Sequence, residues 1–128
     1  MANGLHETRR CRREDGILSL EAVLVLPTVA VLILGILTVA AVVTDSLLVH
    51  AAARAGARVA VTTRSDAAVI DAARAAAPNL EGLQVTTSPS SRRAGDVVRV
   101  VVTVDRQVGP TAFPLRAEIA GRVEPGVG

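Results

Sequence analysis

Residues 22–43 form an unbroken run of 22 uncharged, mostly apolar residues, and this run limits what the chain can become. At 1.5 Å rise per residue a helix of that length extends about 33 Å, enough to cross a hydrocarbon core of roughly 30 Å. Immediately before it stands one acid, Glu21, within "GILSLEAVLVLP". A carboxylate in a spanning helix costs on the order of 2.5–3.5 kcal/mol at the bilayer centre and less near its edge. One base change would remove that cost, so a role for Glu21 is the default expectation.

The charges flanking the run predict an orientation. Arg9, Arg10, Arg12 and Arg13 precede it, against Arg54 and Arg58, which follow within about 15 residues. This asymmetry favours a cytoplasmic N-terminus, with the chain from Thr44 onward extracytoplasmic. The run is too long for the apolar region of a cleaved secretory signal, which spans about 7–15 residues. A plain signal anchor accounts for its length but leaves Glu21 without a purpose.

A third reading accounts for the whole stretch. Gly16 is followed by Ile17, and Glu21 is the fifth residue counted from Ile17. Gly followed by an apolar residue, with Glu at that distance under a basic leader, is the spacing of type IV prepilins, cut between Gly16 and Ile17. Cleavage there creates an α-amine on Ile17 at a helix start, and a carboxylate neutralises such a charge in lipid. The Glu21 of one subunit then pairs with the Ile17 amine of a neighbour, which rewards assembly and sets axial register.

Pro27 lies six residues after Glu21, and "AAARAGARVAV" follows the apolar run. With the basic leader, these features resemble the TadE-like family, small pilin-like proteins of tight-adherence (Tad/Flp) pilus systems. The likeness is strongest over residues 9–61. Two positions depart from the family pattern: Ala22 stands where an aromatic is common, and Ala55 replaces the usual acid between Arg54 and Gly56. The second departure removes a charge partner for Arg54 or Arg58. The resemblance implies a pseudopilin processed by a prepilin peptidase, acting with other pilin or pseudopilin subunits in a surface pilus. The size of the region after the apolar helix suits a minor or initiating subunit, with no enzymatic activity. The competing reading is a single-pass membrane-anchored binding module unrelated to pili.

The expected organisation is a leader over residues 1–16, a transmembrane helix over 17–43, a helical stalk over 44–64 and a small α+β domain over 65–128. Pro27 removes a backbone donor and should bend the helix near Val23, although membrane helices also tolerate prolines without consequence. Arg54 and Arg58 are four apart on one face, while Leu47, His50, Ala51 and Ala55 follow a different one. The arginines form a solvated face or meet lipid headgroups or a neighbouring subunit.

"SDAAVIDAARAAAP" reads as a second helix, with Ser65 as cap, Pro78 as stop and Val69, Ile70 and Ala73 as its apolar stripe. Strands are expected over 83–87, 96–106 and 115–124, with the Val-rich second one central because it is apolar on both faces. "SPSSRRAGD" reads as an exposed loop, and "VGPTAFP" as a connection too long and proline-rich for a tight hairpin. The fold class is α+β and pilin-like: a transmembrane helix extended as a stalk, a short helix, and an antiparallel sheet of about three strands.

Composition removes other classes. Half the residues are hydrophobic, yet there is one Phe and no Tyr or Trp. The fourteen basic residues are scattered arginines balanced by twelve acids, without an aromatic platform for nucleic acid. Cys11 is the single cysteine, so no internal disulfide forms. No phosphate loop, Ser-His-Asp set or paired His or Cys is present, and no metal, cofactor or small-molecule substrate is expected.

Overall fold

The computed structural model describes the backbone of residues 7–126 and the side chains of residues 20–126. The chain is α+β, with two helices followed by three strands: α1 (Glu7–Thr62), α2 (Asp66–Ala76), β1 (Gln84–Ser88), β2 (Val97–Val108) and β3 (Thr111–Arg122). It divides into two compact units, Met1–Val39 and Ala40–Gly128.

The first unit is the N-terminal part of α1. From residue 20 to 37 every side chain is exposed, including Leu24, Leu26, Leu32, Leu34 and Leu37. A helix apolar on all sides with nothing packed on it needs an apolar surrounding, and residues 20–62 contain a segment long and apolar enough to cross a membrane. Among its described side chains both hydroxyls are satisfied internally. Thr28 Oγ1 donates to the Leu24 carbonyl at 3.1 Å and Thr38 Oγ1 to the Leu34 carbonyl at 2.8 Å. In lipid, where no water competes, this return bond removes the penalty of a bare hydroxyl.

The second unit contains the core. Its sheet has the order β1-β2-β3, antiparallel throughout, with Thr86 opposite Val101 and Val101 opposite Glu118. Val98, Val100, Val102 and Val104 alternate along β2 and are all buried. Each contributes about 1.5–3 kcal/mol relative to exposure. They face Val49, Ala52, Ala53, Ala57 and Ala60 of α1, with Val69 and Ala73 of α2, Ala117 of β3, and Val123. The sheet therefore has one helix-covered face, and the other carries Arg99, Glu118 and Arg116 in contact with each other. β2 is central because strands flank it on both sides, not because both its faces are buried.

Two expectations give way here. The segment 44–62 is not a stalk standing clear of the domain, because its small residues form one wall of the core. Its buried face is Val49, Ala52, Ala53, Gly56, Ala57 and Ala60, whereas Leu47, His50 and Ala51 are exposed. Small side chains let the helix backbone approach the sheet closely, and that proximity, more than side-chain apolarity, selects the face. β2 and β3 are joined by a tight hairpin in which Val108 pairs with Thr111 across Gly109 and Pro110. Gly109 has φ of +61°, as the first position of a two-residue type II′ loop requires, and proline's fixed φ suits the second. Pro114 is accommodated because β3 is an edge strand.

α2 follows the sequence closely. Ser65 caps it by accepting a bond from the Ala68 amide, Asp66 lies in the first turn and Arg74 in the last. Val69 and Ala73 are buried, and Ile70 is partly exposed at the border of the stripe.

Candidate assembly segment and the polar node of the head

The residues that carry the chemistry expected of this chain lie along α1. Gly16 and Ile17 fall where only the helical backbone is described, and His6 lies outside the described residues. Glu21 is exposed on a helix whose neighbouring side chains Leu20, Val23, Leu24 and Val25 are all exposed apolar groups. Among the described residues it has no ion-pair partner. Ile17 precedes Glu21 by four positions, one turn on the same helix face. α1 runs as one helix through Pro27. The carbonyl left without a donor by Pro27 is that of Val23, and the adjacent Leu24 carbonyl is the acceptor of Thr28.

Arg54 and Arg58 lie on the exposed side of α1 in the second unit. With Ala57, Val61 and Ile119 they line a shallow groove between the helix and β3. Among the described residues neither is ion-paired. The structure thus places Arg54 and Arg58 together, in the second unit, and Glu21 in the first.

Sequence reasoning missed the most buried charge. Arg92, within the segment read as an exposed loop, is only 4% exposed. Its Nη1 donates to the Thr63 carbonyl at 2.9 Å, and its Nη2 is paired with Asp66 Oδ1. Thr87 Oγ1 donates to the same carboxylate oxygen at 2.9 Å. One guanidinium thereby ties the end of α1, the start of α2 and β1 together. The planar fork with several donors explains why an arginine serves here. Arg93 beside it stays exposed, while its backbone amide donates to Asp96 Oδ2 at 2.9 Å to close the turn into β2. Nothing in "SSRRAGD" separates the two arginines in advance, because the distinction depends on where Asp66 lies in space.

A second ion pair joins Arg106 of β2 to Asp45 of α1, with Nε 3.0 Å from Oδ2. The distance is that of an ion pair, although the angle falls outside hydrogen-bond geometry and Oδ2 is buried. Among the described residues no group of His, Cys, Asp or Glu is arranged to hold a metal ion.

No curated protein and no solved structure matches the chain. The family model described as TadE-like protein matches residues 16–58, a span that begins at Gly16, includes Glu21 and Pro27, and ends at Arg58. Gly16, Glu21, Pro27, Arg54 and Arg58, which carry part of the sequence resemblance, fall within this span, and over it the chain is similar to that family.

Proposed function

We propose that this chain is a non-catalytic pseudopilin of a Tad-type pilus, acting as a minor subunit or assembly factor. The TadE-like match over residues 16–58 and the helix able to cross a membrane fit a membrane protein associated with such pili. The carrying observation is Glu21, an acid exposed at the start of the uncharged stretch of α1, one turn after Ile17 within the matched segment. A prepilin peptidase cuts after Gly16, and the new Ile17 amine and Glu21 supply opposite charges for docking one apolar helix against another. In lipid such charges are costly apart and relieved together. The leader faces the cytoplasm, and the head lies outside it. Other pilin or pseudopilin subunits are the partners, and the head acts through contacts rather than turnover.

N-terminal sequencing of the membrane-extracted protein tests this reading. A start at Ile17 is expected, and Gly16→Glu should abolish it because a bulky charged side chain crowds a site that accepts only a hydrogen. A start within residues 1–10, or near Thr44, overturns it.

A further inference from the structure

The turn between β2 and β3 sits at an unusual place along α1. At one end of the head, Gly121 of β3 packs on Val61, since a Cβ built on Gly121 would stand 2.6 Å from Val61 Cγ1. At the other end Arg106, paired in the sheet with Phe113, meets Asp45. From Val61 back to Asp45 is about 24 Å of helix, and from Gly121 back to Phe113 is about 27 Å of strand. β3 therefore runs alongside α1 in the same direction. The hairpin continues beyond Arg106 toward the residues that precede Asp45.

Val108 is two residues past Arg106, about 7 Å further, which brings the turn level with roughly Ala41 of α1. That level is within the uncharged run, which extends to Thr44. The half-covered state of Val42, Asp45 and Ser46 marks the side of the helix along which the hairpin lies.

The composition of the turn changes with that level. Between Arg106 and Arg116 there is no charged residue: the segment reads "QVGPTAFPL". Pro110, Ala112 and Pro114 are exposed, and Phe113, the single aromatic residue of the chain, is 50% exposed. Elsewhere the outward face of the sheet carries Arg99, Glu118 and Arg116, and a separate exposed apolar residue, Val97, stands at the far end of β2. An uncharged, partly apolar tip that lies level with the apolar run of α1 calls for a covering surface. The polar headgroup zone adds several Å to each side of the hydrocarbon core, so it encloses the helix around Asp45 if the core ends near Val43.

We propose that the β2–β3 turn is a second, shallow membrane contact, with Val108, Pro110, Ala112 and Phe113 seated at the boundary between headgroups and acyl chains. The occupant of this apolar tip is the lipid surface that α1 crosses. The Arg106–Asp45 pair then lies at headgroup level, where charge is tolerated, and caps the inserted tip. This inference rests on α1 spanning the bilayer and is independent of any role in a pilus.

The chain has no tryptophan, so single-tryptophan variants report depth without background. Full-length Phe113→Trp, Thr111→Trp, Leu32→Trp and Ala120→Trp are each reconstituted into phosphatidylcholine vesicles carrying bromine near the headgroup end of the acyl chains, or deeper. Leu32→Trp, in the spanning segment, should lose emission with deep bromines. Phe113→Trp and Thr111→Trp should lose most of theirs with shallow bromines, and Ala120→Trp, on the outer face of the sheet, should keep its emission. If Leu32→Trp is quenched while both turn variants are not, the turn does not meet lipid and the proposal falls. Equal quenching of Ala120→Trp would overturn a contact specific to the turn. If Leu32→Trp escapes quenching, the spanning reading fails and the placement of the turn fails with it.

Discussion

Gly121 and Val61 meet where β3 lies against α1, with no room between them for a side chain. A Cβ on Gly121 would come within 2.6 Å of Val61 Cγ1, inside the distance real carbon atoms keep. Val61 is β-branched and has little rotameric freedom in a helix, so it cannot swing aside. Gly121→Val should therefore destabilise the head by about 1–3 kcal/mol, the range for overpacking. Gly121→Ala combined with Val61→Ala should recover most of the loss. Thermal unfolding in detergent, followed by circular dichroism, checks both, and an unchanged midpoint for Gly121→Val would contradict this packing.

The pair of Arg92 and Asp66 should respond unequally to loss of either partner. Arg92's side chain is fully buried, whereas that of Asp66 is 44% exposed. Removing the carboxylate strands a buried guanidinium, and Asp66→Ala should cost about 3–5 kcal/mol. Arg92→Met leaves an acid that water can reach and fills part of the volume, so it should cost only about 1–2 kcal/mol. Urea unfolding of the two variants side by side gives the comparison, and equal losses would contradict the asymmetry.

Glu21 is predicted to matter for assembly and not for insertion. Glu21→Ala removes an expensive group from the membrane edge, so membrane abundance should hold or rise. The Ile17 amine is then left without a partner in a docked bundle, and surface piliation should fail. Glu21→Asp should retain part of the function because the charge survives on a shorter arm. Piliation scored against membrane abundance decides the matter, and normal piliation with Glu21→Ala would make the carboxylate a passenger.

The head is expected outside the cytoplasm. A reporter active only in an extracytoplasmic compartment, fused after Gly128, should give signal, and one active only in the cytoplasm should stay silent. The reverse result would mean that Arg54 and Arg58 outweigh the four upstream arginines in setting topology.

Legibility in the sequence followed the strength of local signals. Ser65, Asp66 and Arg74 marked α2 because capping and dipole preferences act within a few residues. The valines of β2 marked a strand because alternation is a local property. The buried face of residues 44–62 was hidden because alanine appears on every side of it, leaving little contrast in apolarity. The tight turn at Gly109 and Pro110 was obscured by counting prolines as obstacles, when Pro110 fits its turn position and Pro114 lies on an edge strand. Arg92's burial depends on a contact with Asp66 across 26 positions, which no local pattern encodes. For the assembly segment, Gly16, Glu21 and Pro27 were legible as a motif, and the matched family span covers them.

Because the wall of the head's core is the later part of the same helix that begins at Glu7, the head inherits a helix already started elsewhere. Initiating a helix from a disordered chain carries a factor of about 10⁻³, on the order of 4 kcal/mol, whereas lengthening an existing one is nearly free. With α1 inserted as proposed, the bilayer would act as a seed: insertion would form the first turns, and the sheet would condense on what grows out of them. A head beginning at Thr44 must nucleate that wall unaided. It should refold more slowly than the full chain in vesicles, as stopped-flow fluorescence of an introduced tryptophan would register, and equal rates would show that the sheet supplies its own template.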